Sequence, residues 1–439
     1  MATADPRRSL PSVDAALTQA GIAELLADHP RGQVVDAVRG AIEACRQTGG
    51  SAAGLVDEVV RRLRPSLRRV INATGVILHT NLGRASLAPQ AAAAVAAATG
   101  TSNLEWDADT GERGSRQDHV VEHLRALTGA ESAAVANTNA GGMLLALVAL
   151  ASGKEVIVSR GQLVEIGGGF RVPEVLVASG CRLVEVGTTN KTRTDDYERA
   201  IGPDTAVILR VHPSNFRVVG FTEEAPLGEL VALAHARGLV VIDDLGSGAL
   251  TADPIYRGEP DVRSSVAAGV DVTCFSSDKL MGGPQGGLLV GTAEAINRCR
   301  RHPLMRALRP DKLTIAALEA TLALHRDPAL ARTSIPTLAM LAADPDALRA
   351  RADRLAAAVA GEVVATTGRV GGGSLPLEEL PSVAVALDAP DGADALAARL
   401  RACDPHVVAR VADGQVLLDV LTLSDDDLAL LPSLVERAR

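Results

Sequence analysis

The sequence predicts an α/β fold built on a mostly parallel central sheet, with a small helical unit before it and an α+β unit after it. Three observations lead there. Between about residues 85 and 300, Ala-rich helical segments such as APQAAAAVAAA, MLLALVALAS and GELVALAHARG alternate with brief apolar strands. Short strands separated by helices of roughly 10–15 residues indicate βαβ units. The 439 residues exceed what one small core needs and suit two or three packed units. With four Phe, two Tyr and one Trp, the core must be made of Ala, Val, Leu and Ile, and aromatic platforms for nucleic-acid bases are nearly excluded.

Taken in order, residues 9–65 read as short amphipathic helices broken at Pro30 and at Gly49-Gly50. After Pro65 the texture changes to VINATGVILHTNLGRASL, β-branched, polar and glycine-containing without helical periodicity, which sets a boundary near residue 68. A large unit, 69–324, follows, with strands expected at AAVAN, KEVIVSR, CRLVEV, TAVILRV, GLVVIDD, VDVTCFS and GGLLVG and a closing helix at LTIAALEATLALHRDP. In such sheets ligands lie beyond the carboxyl ends of the strands. Residues 325–439 read as a smaller α+β unit with strands at SVAVALD, HVVARVA and QVLLDV and helices at GADALAARLRA and DDDLALLPSLVERA.

Charge is uneven along the chain. The net value is −9, yet residues 1–70 hold 10 Arg against 8 acidic residues, a local +2 against −11 for the rest. Arg61, Arg62, Arg64, Arg68 and Arg69 fall in one stretch, either a solvated helix face or a phosphate-binding patch. The five cysteines are dispersed and form no CxxC pair, which points to reduced thiols and no structural zinc. The start lacks an apolar leader core, and the longest apolar run, Ala140 to Ala151, is shorter than the ~20 residues a membrane helix needs. A cytoplasmic protein is expected.

Three segments can carry chemistry. In DVTCFSSDKLMGGPQGG, Lys279 follows an apolar strand and precedes glycine-rich backbone; a lysine so desolvated can lose its proton and form a Schiff base with a carbonyl cofactor. In GLVVIDDLGSGAL, Asp243 and Asp244 end a strand, where a carboxylate can pair with a protonated pyridine nitrogen, bind a metal or cap the next helix. In AVANTNAGGMLLALVAL, the N–H groups of Asn139, Ala140, Gly141 and Gly142 open a helix and offer an anion site for a cofactor phosphate. Phosphate loop, Asp and Lys, in that order, suit a pyridoxal-phosphate enzyme of the aspartate-aminotransferase fold.

At these residues the chain closely resembles the bacterial selenocysteine synthases, or L-seryl-tRNA(Sec) selenium transferases. The motifs are VINATGVILHTNLGRASL, NLEWDADTGERGSRQDHV, SRGQLVEIGGGFRVPEV, VGTTNKTRTDDY, DDLGSGAL, FSSDKLMGGPQGG, HPLMRALRPDKLTIAALEATL and VGGGSLPLEELPS, spread over essentially the whole chain. Ser277 stands where the family usually has glycine. The resemblance implies a fold-type I pyridoxal-phosphate transferase that converts seryl-tRNA(Sec) to selenocysteinyl-tRNA(Sec). The serine amine would displace Lys279 from the cofactor, and Lys279 would remove the α-proton while Asp244 keeps the ring nitrogen protonated. Loss of the serine hydroxyl would leave an aminoacrylyl group, to which selenophosphate adds selenium.

The same resemblance implies that Asp278 positions or proton-couples with Lys279 and that Ser276 belongs to the cofactor site. Arg84, Arg306 and Arg309 would bind selenophosphate, a small dense anion suited to arginines. Arg306 and Arg309 share a face if that stretch is helical. His79, Arg113 and Arg116 lie in family motifs and could face the site. The implied assembly is a ring of dimers with active sites at dimer interfaces, and residues 1–68 are the expected tRNA-binding unit. The alternatives are a pyridoxal-phosphate lyase acting on a small free amino acid or amino sugar phosphate, and a non-catalytic tRNA-binding protein. The second would not need Asp244 and Lys279 together.

Overall fold

The computed structural model describes residues 10–48, 54–166 and 169–439. The chain divides into two compact units, Met1–Arg69 and Val70–Arg439.

The first unit is helical. Short helices Val13–Leu17, Ala20–Ala23 and Leu25–Asp28 precede the long helix Arg31–Thr48, and Leu55–Leu63 follows. Ser12 caps the first of them, its side chain accepting from the Ala15 N–H. Pro30 sits just before Arg31, where a missing N–H costs nothing. Ile22, Val34, Val38, Ala41, Leu55 and Val59 are fully buried and form this unit's own core. The break expected at Gly49-Gly50 lies outside the described residues.

The second unit contains two main sheets. Its strands are β1 (Val70–Ala73), β2 (Ser132–Ala136), β3 (Glu155–Ser159), β4 (Glu165–Ile166), β5 (Phe170–Arg171), β6 (Arg182–Val186) and β7 (Thr205–Val211). They continue with β8 (Val240–Gly246), β9 (Val272–Ser276), β10 (Gly287–Gly291), β11 (Glu362–Arg369), β12 (Glu379–Leu387), β13 (His406–Ala412) and β14 (Gln415–Asp419). The seven-stranded sheet runs β2-β10-β9-β8-β7-β3-β6, and its members are the seven expected strands. It is parallel from β9 through β6, whereas β10 is antiparallel to both β9 and β2. The edge strand β2 and its neighbours β10 and β9 are buried along their whole length, as expected of a sheet covered on both faces. One face packs on the Asn139–Ala151 helix, the other on Asp118–Thr128 and Lys312–His325.

The second sheet runs β1-β13-β14-β12-β11. Two of its strands differ from expectation. Val70–Ala73, whose texture placed it with the large unit, pairs in parallel with β13, so the chain enters this fold through the C-terminal sheet. EVVATTGR forms β11, an edge strand whose polar, threonine-rich pattern has no apolar alternation to mark it. The expected helices Ala393–Ala402 and Asp425–Ala438 are present, the latter running through Pro432. No helix among the described residues is long and apolar enough to cross a membrane.

Candidate active site

The topology gathers several loops at one edge of the seven-stranded sheet. β7, β8 and β9 end there at Val211, Gly246 and Ser276, which brings His212 and Asp244 to this edge, and β2 ends there ahead of Thr138. Because β10 runs the opposite way, its start, with Gln285 and Gly286, comes to the same edge. A cavity of about 250 Å³ opens at this edge, lined by Arg84, Thr138, Asn139, Ala140, His212, Asp244, Gly246, Ser276, Asp278, Lys279, Gln285 and Gly286.

Lys279 is 6% exposed, and burial pulls its ammonium pKa below the usual lysine value, with Asp244 and Asp278 opposing. Asp244 is 4% exposed. Burial pushes its pKa up to about 6, against the hydrogen bond from Asn139 and the charge of Lys279. Asn139 Nδ2 donates to Asp244 Oδ1 at 2.8 Å, which fixes the carboxylate at the mouth of β8. The adjacent Asp243 faces the other side of the strand. It accepts from Arg210 Nη1 at 3.0 Å and from the Ser265 hydroxyl at 2.7 Å, so its charge is spent inside the fold.

Asp278 is held from the opposite direction. Arg84 Nη1 donates to Asp278 Oδ2 at 2.6 Å, and the Ala85 N–H donates to the Asp278 carbonyl. Arg84 has a left-handed backbone, φ 60°, directly after Gly83 at φ 94°. A non-glycine residue in that region is strained, and strain of this kind collects at functional sites. Ser277 donates its hydroxyl to the Pro284 carbonyl at 2.5 Å and leaves Lys279 facing the cavity.

The expected phosphate loop is narrower than its four N–H groups. Thr138 caps the helix, its hydroxyl accepting from Gly141 N–H at 3.0 Å and its carbonyl from Gly142 N–H. Gly142 serves packing instead, since a Cβ there would sit 2.9 Å from Leu289 Cδ1. Asn139 and Ala140 line the cavity, and among the described residues no acceptor engages their N–H groups.

The arginines do not converge within one chain. Arg306 and Arg309 line a different cavity of about 690 Å³, together with Arg113, Arg116, Arg300 and Arg301. The helix there ends at Leu308, and Arg309 is extended, so the i, i+3 helical relation expected for Arg306 and Arg309 does not hold. Glu105 is the hub of this second cavity. It accepts from Arg116 Nη2 at 2.5 Å and Arg113 Nη2 at 3.0 Å, and Arg309 Nη1 lies 3.4 Å away. The Arg116 hydrogen bond, then that of Arg113, holds the Glu105 carboxyl below its usual range. His79 sits at the N-terminal position of the Thr80–Leu82 turn without a side-chain capping bond and does not line the Lys279 cavity.

Residues 70–424 match the family model described as L-seryl-tRNA selenium transferase, and residues 7–46 match one described as selenocysteine synthase N terminal. The L-seryl-tRNA(Sec) selenium transferase of Solidesulfovibrio magneticus is 52% identical over 98% of both chains. That of Moorella thermoacetica is 50% identical, covering 95% of this chain and 93% of its own.

The chain belongs to the L-seryl-tRNA selenium transferase family.

The family's fold agrees with that of a solved D-glucosaminate-6-phosphate ammonia-lyase, which superposes with a TM-score of 0.58 at 23% identity over 85% of this chain and 97% of that one. It is the fold-type I architecture expected from the sequence. The residues present suit pyridoxal phosphate. Asn139 Oδ1 and Ser214 Oγ are buried without hydrogen-bond partners, the latter beside the space next to Lys279 Nζ, so polar capacity at the cavity is left for a ligand. Gly246, at φ 68°, keeps space open: a Cβ there would lie 3.8 Å from Lys279 Nζ and 3.6 Å from the Ser214 hydroxyl. Sequence reasoning did not single out His212, Thr138, Gly246 or Gln285. His212 and Pro213 stand at the carboxyl end of the TAVILRV strand, and the strand-end rule could have found them.

Proposed function

We propose that this chain converts L-seryl-tRNA(Sec) to L-selenocysteinyl-tRNA(Sec) with selenophosphate and pyridoxal phosphate. The observation that carries the reading is the buried Asp244–Lys279 pair in one cavity, in a chain of this family. When bound, pyridoxal phosphate supplies an electron sink for the pair left at the serine α-carbon. Lys279, buried and with a depressed pKa, holds the cofactor and moves the proton at that carbon. Asp244, oriented by Asn139, gives the ring nitrogen an anionic partner. The Asn139 and Ala140 N–H groups at the helix start take the phosphate, and Arg84 keeps Asp278 in place beside Lys279. The water lost with the serine hydroxyl balances the water consumed when the selenium–phosphorus bond is cleaved.

Arg306 and Arg309, with Arg113 and Arg116 around Glu105, form the selenophosphate site. Their cavity shares no lining residue with that of Lys279, which favours a homo-oligomer in which one copy's arginines complete another copy's cavity. The N-terminal unit binds the tRNA, and the cytoplasm is the compartment where that substrate occurs. A lyase acting on a small free substrate would have no use for the unit matched at residues 7–46.

The test is incubation of the purified protein with seryl-tRNA(Sec), selenophosphate and pyridoxal phosphate, scoring the amino acid on the tRNA. Selenocysteine is expected with wild type and none with Lys279→Ala. Unchanged serine with wild type, or release of a free small product without tRNA, overturns the reading.

A further inference from the structure

A third cavity, of about 250 Å³, adjoins the Lys279 cavity and has no role in the chemistry above. His212 lines both, whereas the arginine-rich cavity shares no lining residue with the Lys279 cavity. Across from His212 stands Glu259, 8% exposed. Its Oε1 lies 3.3 Å from His212 Nε2 but is buried without a hydrogen-bond partner. A buried acceptor left unsatisfied is costly and calls for a donor. Phe216 also lines this cavity and is 39% exposed. That exposure leaves its ring within reach of a ligand in the cavity.

We propose that this cavity receives the 3′-terminal nucleoside of the aminoacyl-tRNA, an inference that rests on the function proposed above. The serine is esterified to the terminal ribose, so a ribose carbon lies roughly 4 Å from the serine α-carbon by bond lengths alone. With serine at Lys279, the ribose must occupy a space bordering that cavity, and the cavity that shares His212 with it is such a space. The free ribose hydroxyl donates to the Glu259 carboxylate, as a ribose 2′-hydroxyl donates to an acidic residue in dinucleotide-binding folds. The base lies against the Phe216 ring, a sequence-tolerant contact open to any π-face.

The experiment compares seryl-tRNA(Sec) ending in adenosine with the same tRNA ending in 2′-deoxyadenosine, on wild type and Glu259→Gln. Removing the hydroxyl is expected to lower wild-type kcat/KM about tenfold, the scale of one charge-assisted hydrogen bond. Glu259→Gln should lose about as much on the normal substrate and little more on the deoxy one, because both changes delete the same contact. Phe216→Ala should raise KM about tenfold with kcat nearly kept, and Phe216→Trp should restore it. Equal rates of wild type on both tRNAs, or fully additive losses, overturn the nucleoside pocket while leaving the proposed function standing. Wild type inactive on both tRNAs removes that function and this inference together. The wild-type comparison decides even if a variant fails to fold.

Discussion

Arg84 Nη1 lies 2.6 Å from Asp278 Oδ2, joining a loop near the start of the second unit to the residue before Lys279. The pair is unequal: the carboxylate side chain is 9% exposed and the arginine 36%. Asp278 therefore depends on Arg84 more than Arg84 depends on it, since a buried carboxylate without its partner is the costlier orphan.

Arg84→Ala should accordingly lower kcat about tenfold or more, with the protein still folded and binding pyridoxal phosphate. Arg84→Lys keeps the charge but loses the planar donor geometry and should recover only part. If Arg84 acts through Asp278, Asp278→Asn combined with Arg84→Ala will cost much less than the product of the two single losses. A multiplicative double variant would place Arg84 on the substrate instead.

The two neighbouring aspartates should fail in different assays. Asp243 is fully buried and paired with Arg210, whose side chain is 17% exposed. Asp243→Asn strands that guanidinium and should destabilise the fold by about 3–5 kcal/mol, read as a lower denaturant midpoint. Asp244→Asn should leave the midpoint nearly unchanged and slow turnover. Reversed outcomes would exchange their roles.

Asp244 also predicts a pH dependence. With its pKa pushed up to about 6 by burial, it is protonated below that pH and ionised above it. Only the ionised form pairs with a protonated ring nitrogen. Affinity for pyridoxal phosphate should therefore fall as pH is lowered through about 6, more steeply in wild type than in Asp244→Asn. Titrations of the cofactor's own groups are common to both proteins, so their difference isolates Asp244. Parallel curves would remove Asp244 from the ring nitrogen.

Arg306 and Arg309 should separate selenium delivery from loss of the serine hydroxyl. Alanine at either position should slow selenocysteine formation about tenfold or more, the scale of a lost charge-assisted contact to an anion. Release of the hydroxyl, followed without selenophosphate, should largely survive. Equal losses in both steps would assign these arginines to the tRNA or the cofactor.

The sheet and its site were legible in the sequence to different depths. Seven apolar runs became the seven strands of the large sheet because strands covered on both faces need continuous apolar residues. Asp244 and Lys279 were readable because one stands near the end of such a strand and the other shortly after one. The β11 edge strand was not, since its polar residues carry no period. Nor could spacing show that Gly141 and Gly142 N–H groups are already satisfied by Thr138, or that Asp243 turns inward to Arg210. Those facts depend on which face of an element meets which neighbour. Arg84 and Arg309 look alike on the page of the sequence, yet one borders Lys279 and the other a separate cavity.

The N-terminal unit should carry the affinity for tRNA. It is locally positive in a chain of net charge −9, so the remainder is poorly suited to attract a polyanion. Arg61 and Arg62 both reach Glu58, at 2.5 Å and 2.8 Å, which orders their side chains along one face of the Leu55–Leu63 helix. Arg61 is 62% exposed in its side chain, so this contact is weak and can be exchanged for phosphate. No aromatic residue occurs in residues 1–69, so binding must act on backbone and shape and weaken as salt rises. Because residues 70–439 form a unit with its own cores, removing residues 1–69 should abolish tRNA(Sec) binding while pyridoxal phosphate still binds. Arg61→Glu with Arg62→Glu in the full chain should weaken binding and flatten its salt dependence. Unchanged affinity in both proteins would move recognition to the second unit and leave the arginines as a solvated helix face.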